Sequence, residues 1–213
     1  MDSYVHDFMK ENLKDPVIIE AGMSFGNDTK ILCDTFPSGK IYGFEPVPYL
    51  FEHAKGMVEG FDNIELFEMA LSDKTGKAQI NISNENGYIS ESSSLLAPKD
   101  HLLYHPQIKF QEQVEVDTIN LDQFVEERGI ERIDLLWFDL KGYEPLVLQS
   151  SLKALKMTKY LYTEINIMEV YENVVKWPEF YSFLVENGFK KVYDDIFFLR
   201  DSGNALLVNT NIK

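Results

Sequence analysis

Cysteine is nearly absent from this chain of 213 residues, where Cys33 stands alone. An internal disulfide needs two thiols and a Cys-based metal cluster needs more, so both are excluded. Cys33 falls in a predicted helix, where a buried, inert thiol is the simplest reading. Positive charge is scarce as well: 20 Lys and Arg face 35 Asp and Glu, for a net charge of −15. That surface repels phosphate backbones and anionic headgroups, so neither nucleic acid nor a membrane is expected as partner. No apolar run approaches the roughly 20 residues of a membrane span. Residues 1–7, Met-Asp-Ser-Tyr-Val-His-Asp, offer neither a basic start nor an apolar signal core, so a cytosolic location is expected.

What the chain does have is core material. With 45% hydrophobic and 13% aromatic residues it reads as one globular domain over 1–213. Val5, Phe8, Met9 and Leu13 are spaced for an amphipathic opening helix within 1–14. Strands are expected at 16–20, 40–45 and 63–67, with helices to about Phe36 (capped by Asn27 or Asp28) and over 49–58 between them. Strand–helix alternation of this kind predicts a doubly wound, mostly parallel α/β sheet. The alternation stops at 76–119, read as a hairpin-like insertion of strands 76–83 and 110–119 around a polar, serine-rich loop that faces substrate. It then resumes: helix 121–128, strand 132–139, one helix over 143–155, strand 160–165 and helix 177–187. Strands at 190–194, 195–199 and 205–209 close the chain. Tyr160, Tyr162, Phe180, Tyr181, Phe183, Phe197 and Phe198 fall at strand and helix spacing, which reads as core.

The functional signal begins at residues 17–28, Val-Ile-Ile-Glu-Ala-Gly-Met-Ser-Phe-Gly-Asn-Asp: a buried strand, a glycine turn, a helix start. The next strand closes on Phe44-Glu45-Pro46, which sets an acid 23 positions after Gly22. A glycine turn followed by a strand-end acid suits a nucleotide-type cofactor, with Glu45 accepting from a ribose diol. The glycines stand as Gly-x-x-x-Gly, not Gly-x-Gly-x-x-Gly, which points from NAD to S-adenosylmethionine. The plainer alternatives are a tight turn at Gly22 and Gly26 and a helix cap at Glu45.

Four strand ends carry motifs: Glu20 to Asn27, Phe44-Glu45-Pro46, Ala70-Leu71-Ser72, and Asp139-Leu140-Lys141-Gly142-Tyr143-Glu144. Their order and intervals resemble the FkbM family of class I, Rossmann-like methyltransferases over about Val17 to Glu164. The resemblance implies a seven-stranded sheet with its last strand antiparallel, S-adenosylmethionine as donor, and a hydroxyl of a small molecule or sugar as acceptor. It implies a cofactor cradle of Glu20, Gly22, Ser24, Gly26, Asn27, Glu45, Met69, Ala70 and Asp139. Two positions depart from the family: Glu20 replaces Asp, and Lys141 stands where a glutamate is usual.

Asp139 is the expected general base, with His101 or His105 as runner-up, and Lys141 and Glu164 are expected to meet the acceptor. The alternatives are a helix cap for Asp139 and solvent exposure for Glu164. His101 and His105, four apart, are read as a surface or substrate-loop pair ahead of a metal pair, and no metal is expected. His53 reads as a surface residue. Two rival functions remain open at this level: an inactive module that binds S-adenosylmethionine, and a nicotinamide-dependent oxidoreductase.

Overall fold

The computed structural model describes residues 2–196 and 201–212. Helix α1 (Ser3–Asn12) starts where the Asp2 carboxylate accepts from the Tyr4 and Val5 N–H groups, and it buries Val5 and Met9. Alternation follows: β1 (Val17–Ala21), α2 (Asn27–Thr35), β2 (Lys40–Phe44), α3 (Pro48–Met57) and β3 (Ile64–Phe67). The cap of α2 is Gly26, not Asn27 or Asp28. Its φ is +81°, and a Cβ there would lie 2.7 Å from Ala54 Cα, so only glycine lets α2 begin this close to α3. The interrupting segment holds β4 (Ala70–Ser72), β5 (Gly76–Glu85), β6 (Tyr88–Ile89), α4 (His101–Tyr104) and β7 (Ile108–Asn120). The chain continues through α5 (Leu121–Glu127), β8 (Ile133–Phe138), α6 (Glu144–Ser150), α7 (Leu152–Lys156), β9 (Thr158–Asn166), α8 (Trp177–Glu186), β10 (Phe189–Asp194) and β11 (Ser202–Asn209).

Seven strands form the main sheet in the order β3-β2-β1-β8-β9-β11-β10. β11 runs antiparallel to β9 and β10, and the other pairings in this sheet are parallel, as the resemblance implied. Parallel strands covered on both faces must be apolar throughout, and β8 shows it: Leu135 and Trp137 join one core, Leu136 and Phe138 the other. Cys33 is buried in the first of these cores beside α1, and burial pushes its thiol up to about 12, so it is inert.

Three further expectations change. The expected hairpin is present as the antiparallel pair β5–β7, but it grows into a second sheet of order β4-β7-β5-β6. Its apolar side chains Ile80, Ile82 and Val116 pack on Val47 and Leu50, at the start of α3. The single helix expected over 143–155 is two, broken at Ser151. Asn120 donates to the Ser150 carbonyl and the Ser151 hydroxyl, and the Asp122 carboxylate accepts from the Lys153 and Ala154 N–H groups, which starts a fresh helix. At the end of the chain Asp195 and Ile196 are not in a strand, and the rest of that expected strand, with Phe197 and Phe198, lies outside the described residues.

Candidate active site

Strand register builds the site. Phe67, Phe44, Ala21, Phe138 and Thr163 stand side by side across β3, β2, β1, β8 and β9. The following residues Glu68, Glu45, Gly22 and Asp139 therefore leave their strands along one edge, and Glu164 stands level with them inside β9, which runs on to Asn166. β1 lies between β2 and β8, so the chain order reverses there and opens a crevice at the strand ends. A cavity of about 320 Å³ fills it. Its wall includes Glu20, Gly22, Ser24, Asn27, Glu45, Met69, Ala70, Asp139 and Lys141; Gly26, Glu164, His101 and His105 are not part of it.

The glycine turn is set by the protein itself. Gly22 has φ +85°, and a Cβ there would sit 2.0 Å from the Asp139 carbonyl oxygen. The Gly22 and Met23 N–H groups donate to the Phe44 carbonyl, and the Asp139 N–H donates to the Ala21 carbonyl. The ends of β1, β2 and β8 are thus clamped together directly under the cavity.

Two buried acids face that clamp. Glu45 is 4% exposed; its Oε2 accepts from the Ser24 N–H at 2.8 Å and its Oε1 from the Val47 N–H at 2.9 Å. Burial pushes its carboxyl up to about 7, against those two hydrogen bonds. Each oxygen keeps a second lone pair, so the carboxylate still has room for two hydroxyl donors. Glu20 accepts from the Thr29 hydroxyl through Oε1, while its buried Oε2 has no partner among the described residues. Burial pushes Glu20 up to about 8. A cationic ligand group would supply the missing partner and favour the ionised form.

At the other end stands Asp139, with the Lys141 Nζ 2.6 Å from its Oδ1 and 3.7 Å from Glu164 Oε2. Burial would lower the Lys141 pKa, but Asp139 and Glu164 outweigh it and hold the ammonium well above the usual lysine range. Burial pushes Glu164 up to about 7, with Lys141 opposing. Glu144 is fully buried, accepts from the Leu140 N–H, and is driven by burial well above the usual carboxylate range. Sequence reasoning gave Glu144 no role; its place at the end of the 139–144 motif was the available signal.

The insertion closes the near wall. Ser94 Oγ donates to the Lys141 carbonyl, and Ser24 Oγ donates to Glu91 Oε1, so the 91–95 loop is tied to both ends of the cavity. The sequence places this serine-rich loop beside the substrate, but a run without periodicity does not single out Glu91 or Ser94 within it. The histidines lie apart: His105 Nε2 meets Asp201 Oδ2 at 2.8 Å, and His101 is buried against Phe110 and Tyr171. Burial pulls His101 down to about 4. His53 is exposed on α3, as expected, its ring nitrogen near the Phe25 carbonyl.

S-adenosylmethionine presents a sulfonium, an ammonium, a ribose diol and an adenine, and this donor set fits: carboxylates with an orphaned oxygen for the cations, a doubly anchored carboxylate for the diol, and Met69 with Leu71 as apolar wall. Residues 20–191 match the family model described as the methyltransferase FkbM domain. A curated relative, the 2-O-methyltransferase NoeI of Sinorhizobium fredii (strain NBRC 101917 / NGR234), is 34% identical over 161 residues, covering 74% of this chain and 66% of its own. This chain therefore spans just under two thirds of that relative's length. Among solved structures, an rRNA methylase from Streptococcus thermophilus matches with TM-score 0.54 at 18% identity, over 97% of this chain and 94% of its own. Magnesium protoporphyrin IX methyltransferase from Synechocystis PCC 6803, solved with S-adenosylmethionine bound, matches with TM-score 0.56 at 10% identity, over 97% and 77%. At those identities the two structures establish the fold. The chain belongs to the FkbM family of methyltransferases, and S-adenosylmethionine is the cofactor its site accommodates.

Proposed function

We propose that the protein transfers the methyl group of S-adenosylmethionine to a hydroxyl oxygen of a small molecule or sugar. One observation carries the reading: a single cavity joins the buried Glu20 and Glu45 carboxylates at one end to the Asp139–Lys141 pair at the other. The family membership and the 2-O-methyltransferase relative support it. When bound, the cofactor supplies a methyl carbon made electrophilic by the sulfonium. Glu45 would accept from the ribose hydroxyls, and Ser24, Asn27 and the Gly22 turn would hold the methionine end beside Glu20. Met69 and Ala70 would flank the adenine. Asp139 would take the acceptor hydroxyl's proton, a service worth about 10²–10⁴-fold. Lys141 holds the acceptor in line, with Glu164 behind it at 3.7 Å from its Nζ, and the 91–95 loop excludes water. Neither histidine takes part, since neither reaches the cavity.

Residues 1–213 act as one domain in this reading, because both sheets contribute to the same cavity wall. Nucleic acid is not the acceptor, on the strength of the net charge of −15. No helix among the described residues is long and apolar enough to cross a membrane. We take the cytosol as the site of action, which the lone cysteine supports. One observation favours a second reading, a domain that binds the cofactor without using it: the Lys141 ammonium sits on the expected base at 2.6 Å.

Methyl-labelled S-adenosylmethionine, offered with a panel of sugars and small alcohols, separates the two. Label in an O-methyl product that disappears in Asp139→Asn supports transfer. Tight cofactor binding with no labelled product across the panel supports the inactive module.

A further inference from the structure

Lys141 sits between two acids, with a third close behind them. Its Nζ is 2.6 Å from Asp139 Oδ1 and 3.7 Å from Glu164 Oε2. One oxygen each from Asp139, Glu144 and Glu164 lie within 4.8 Å of one another. Glu144 is fully buried, and its Oε2 has no hydrogen-bond partner among the described residues. An unpartnered carboxylate oxygen at such depth is costly, and a fold keeps it only where a cation or proton answers it.

Hard divalent cations use this donor set. An octahedral Mg²⁺ or Mn²⁺ with oxygens at about 2.1 Å spaces them about 3–4 Å apart, a range within reach of this cluster. The lysine ammonium occupies the Asp139–Glu164 side of the cluster. Its backbone lies in the left-handed region, φ +52°, where a long side chain has no conformational advantage, so the side chain's contacts account for the lysine rather than the turn. We propose that Asp139, Glu144 and Glu164 form a cation site in which the Lys141 ammonium stands in for a divalent ion, and which admits such an ion once the lysine is removed. A tethered ammonium polarises a nearby oxygen much as a bound metal ion does, without depending on metal supply. The cluster rests on its own geometry, so it stands whether or not the protein transfers methyl groups.

The test is Mn²⁺ binding to the full chain at about pH 8, read from the loss of the free-ion electron paramagnetic resonance signal. Lys141→Gly is the first variant, since glycine suits the positive φ, with Lys141→Ala as the second; circular dichroism selects the one that keeps the native spectrum. Wild type should leave Mn²⁺ free at equimolar concentration. The lysine-free variant should bind one ion per chain at least tenfold more tightly than wild type, and adding Glu144→Gln or Glu164→Gln should abolish the gain. Equal binding by wild type and variant, no binding by the folded variant, or a gain indifferent to both glutamine substitutions would each overturn the proposal.

Discussion

Glu45 offers the sharpest test of how the cofactor is held, because it does two tasks at once. Its oxygens anchor the Ser24 and Val47 N–H groups at 2.8 and 2.9 Å, and each keeps a lone pair for a ribose hydroxyl. Glu45→Ala therefore leaves two largely buried N–H groups unsatisfied, at about 1–3 kcal/mol each, and also removes two hydrogen bonds to a charged acceptor, about 1.5–3 kcal/mol each. Affinity alone would confuse these losses, since a slackened turn weakens any ligand. A cycle with the ligand separates them: binding of S-adenosylhomocysteine and of its 2′,3′-dideoxy analogue is measured by calorimetry on wild type and on Glu45→Ala. Wild type should lose at least tenfold on removal of the hydroxyls, and the alanine variant should lose almost nothing, a coupling of about 1.4 kcal/mol or more. Equal losses in both proteins would remove Glu45 from the ribose and leave it as the anchor of the turn.

Gly22→Ala should lower stability by at least about 2 kcal/mol, because a Cβ meets the Asp139 carbonyl and φ is positive; that is a melting-point drop of about 4–8 °C in a domain of this size. An unshifted melting point would show that the clamp yields freely. Asp139→Asn should cut turnover by about 10²-fold or more with donor affinity little changed, and near-normal turnover would reject Asp139 as base. Burial raises Glu20 to about 8 and Glu45 and Glu164 to about 7, so the native state binds more protons than the unfolded one between about pH 4.5 and 8. Stability from these groups is full below about pH 4.5 and is lost as pH climbs through their folded values. Denaturant midpoints of the ligand-free protein should therefore fall from about pH 5.5 to 8.5, while affinity for the cationic cofactor rises over the same range. A flat or opposite trend would contradict the burial of these acids.

Local chemistry was legible in the sequence; contacts over long separations were not. Parallel strands buried on both faces write themselves as apolar runs, so β1, β2, β8 and β9 were placed within a residue or two, and with them the edge that carries Glu45 and Asp139. The glycine turn was legible as a turn but not in its cause. Gly22 makes room for a carbonyl 117 residues later in the chain, where the sequence suggested close approach to a ligand. The break between α6 and α7 was hidden because Asn120 and Asp122, which impose it, lie outside the helix they interrupt. The histidines could not be placed from their spacing: a helical turn does bring the rings to 4.8 Å, but packing of His101 against Tyr171 and pairing of His105 with Asp201 set them outside the cavity wall. Glu144 was overlooked because a strand-end motif reads as a row of acids, and only depth of burial tells a solvated acid from a caged one.

The central claim is that this cavity is an S-adenosylmethionine site serving methyl transfer. Titration calorimetry of the purified chain with S-adenosylmethionine, S-adenosylhomocysteine and NAD addresses it most directly. One site per chain is expected for the first two ligands at micromolar affinity, weakened at least tenfold in Glu45→Ala, with no heat from NAD. Binding of NAD in preference to both, or no binding of either sulfur compound at millimolar concentration by a folded protein, would contradict it.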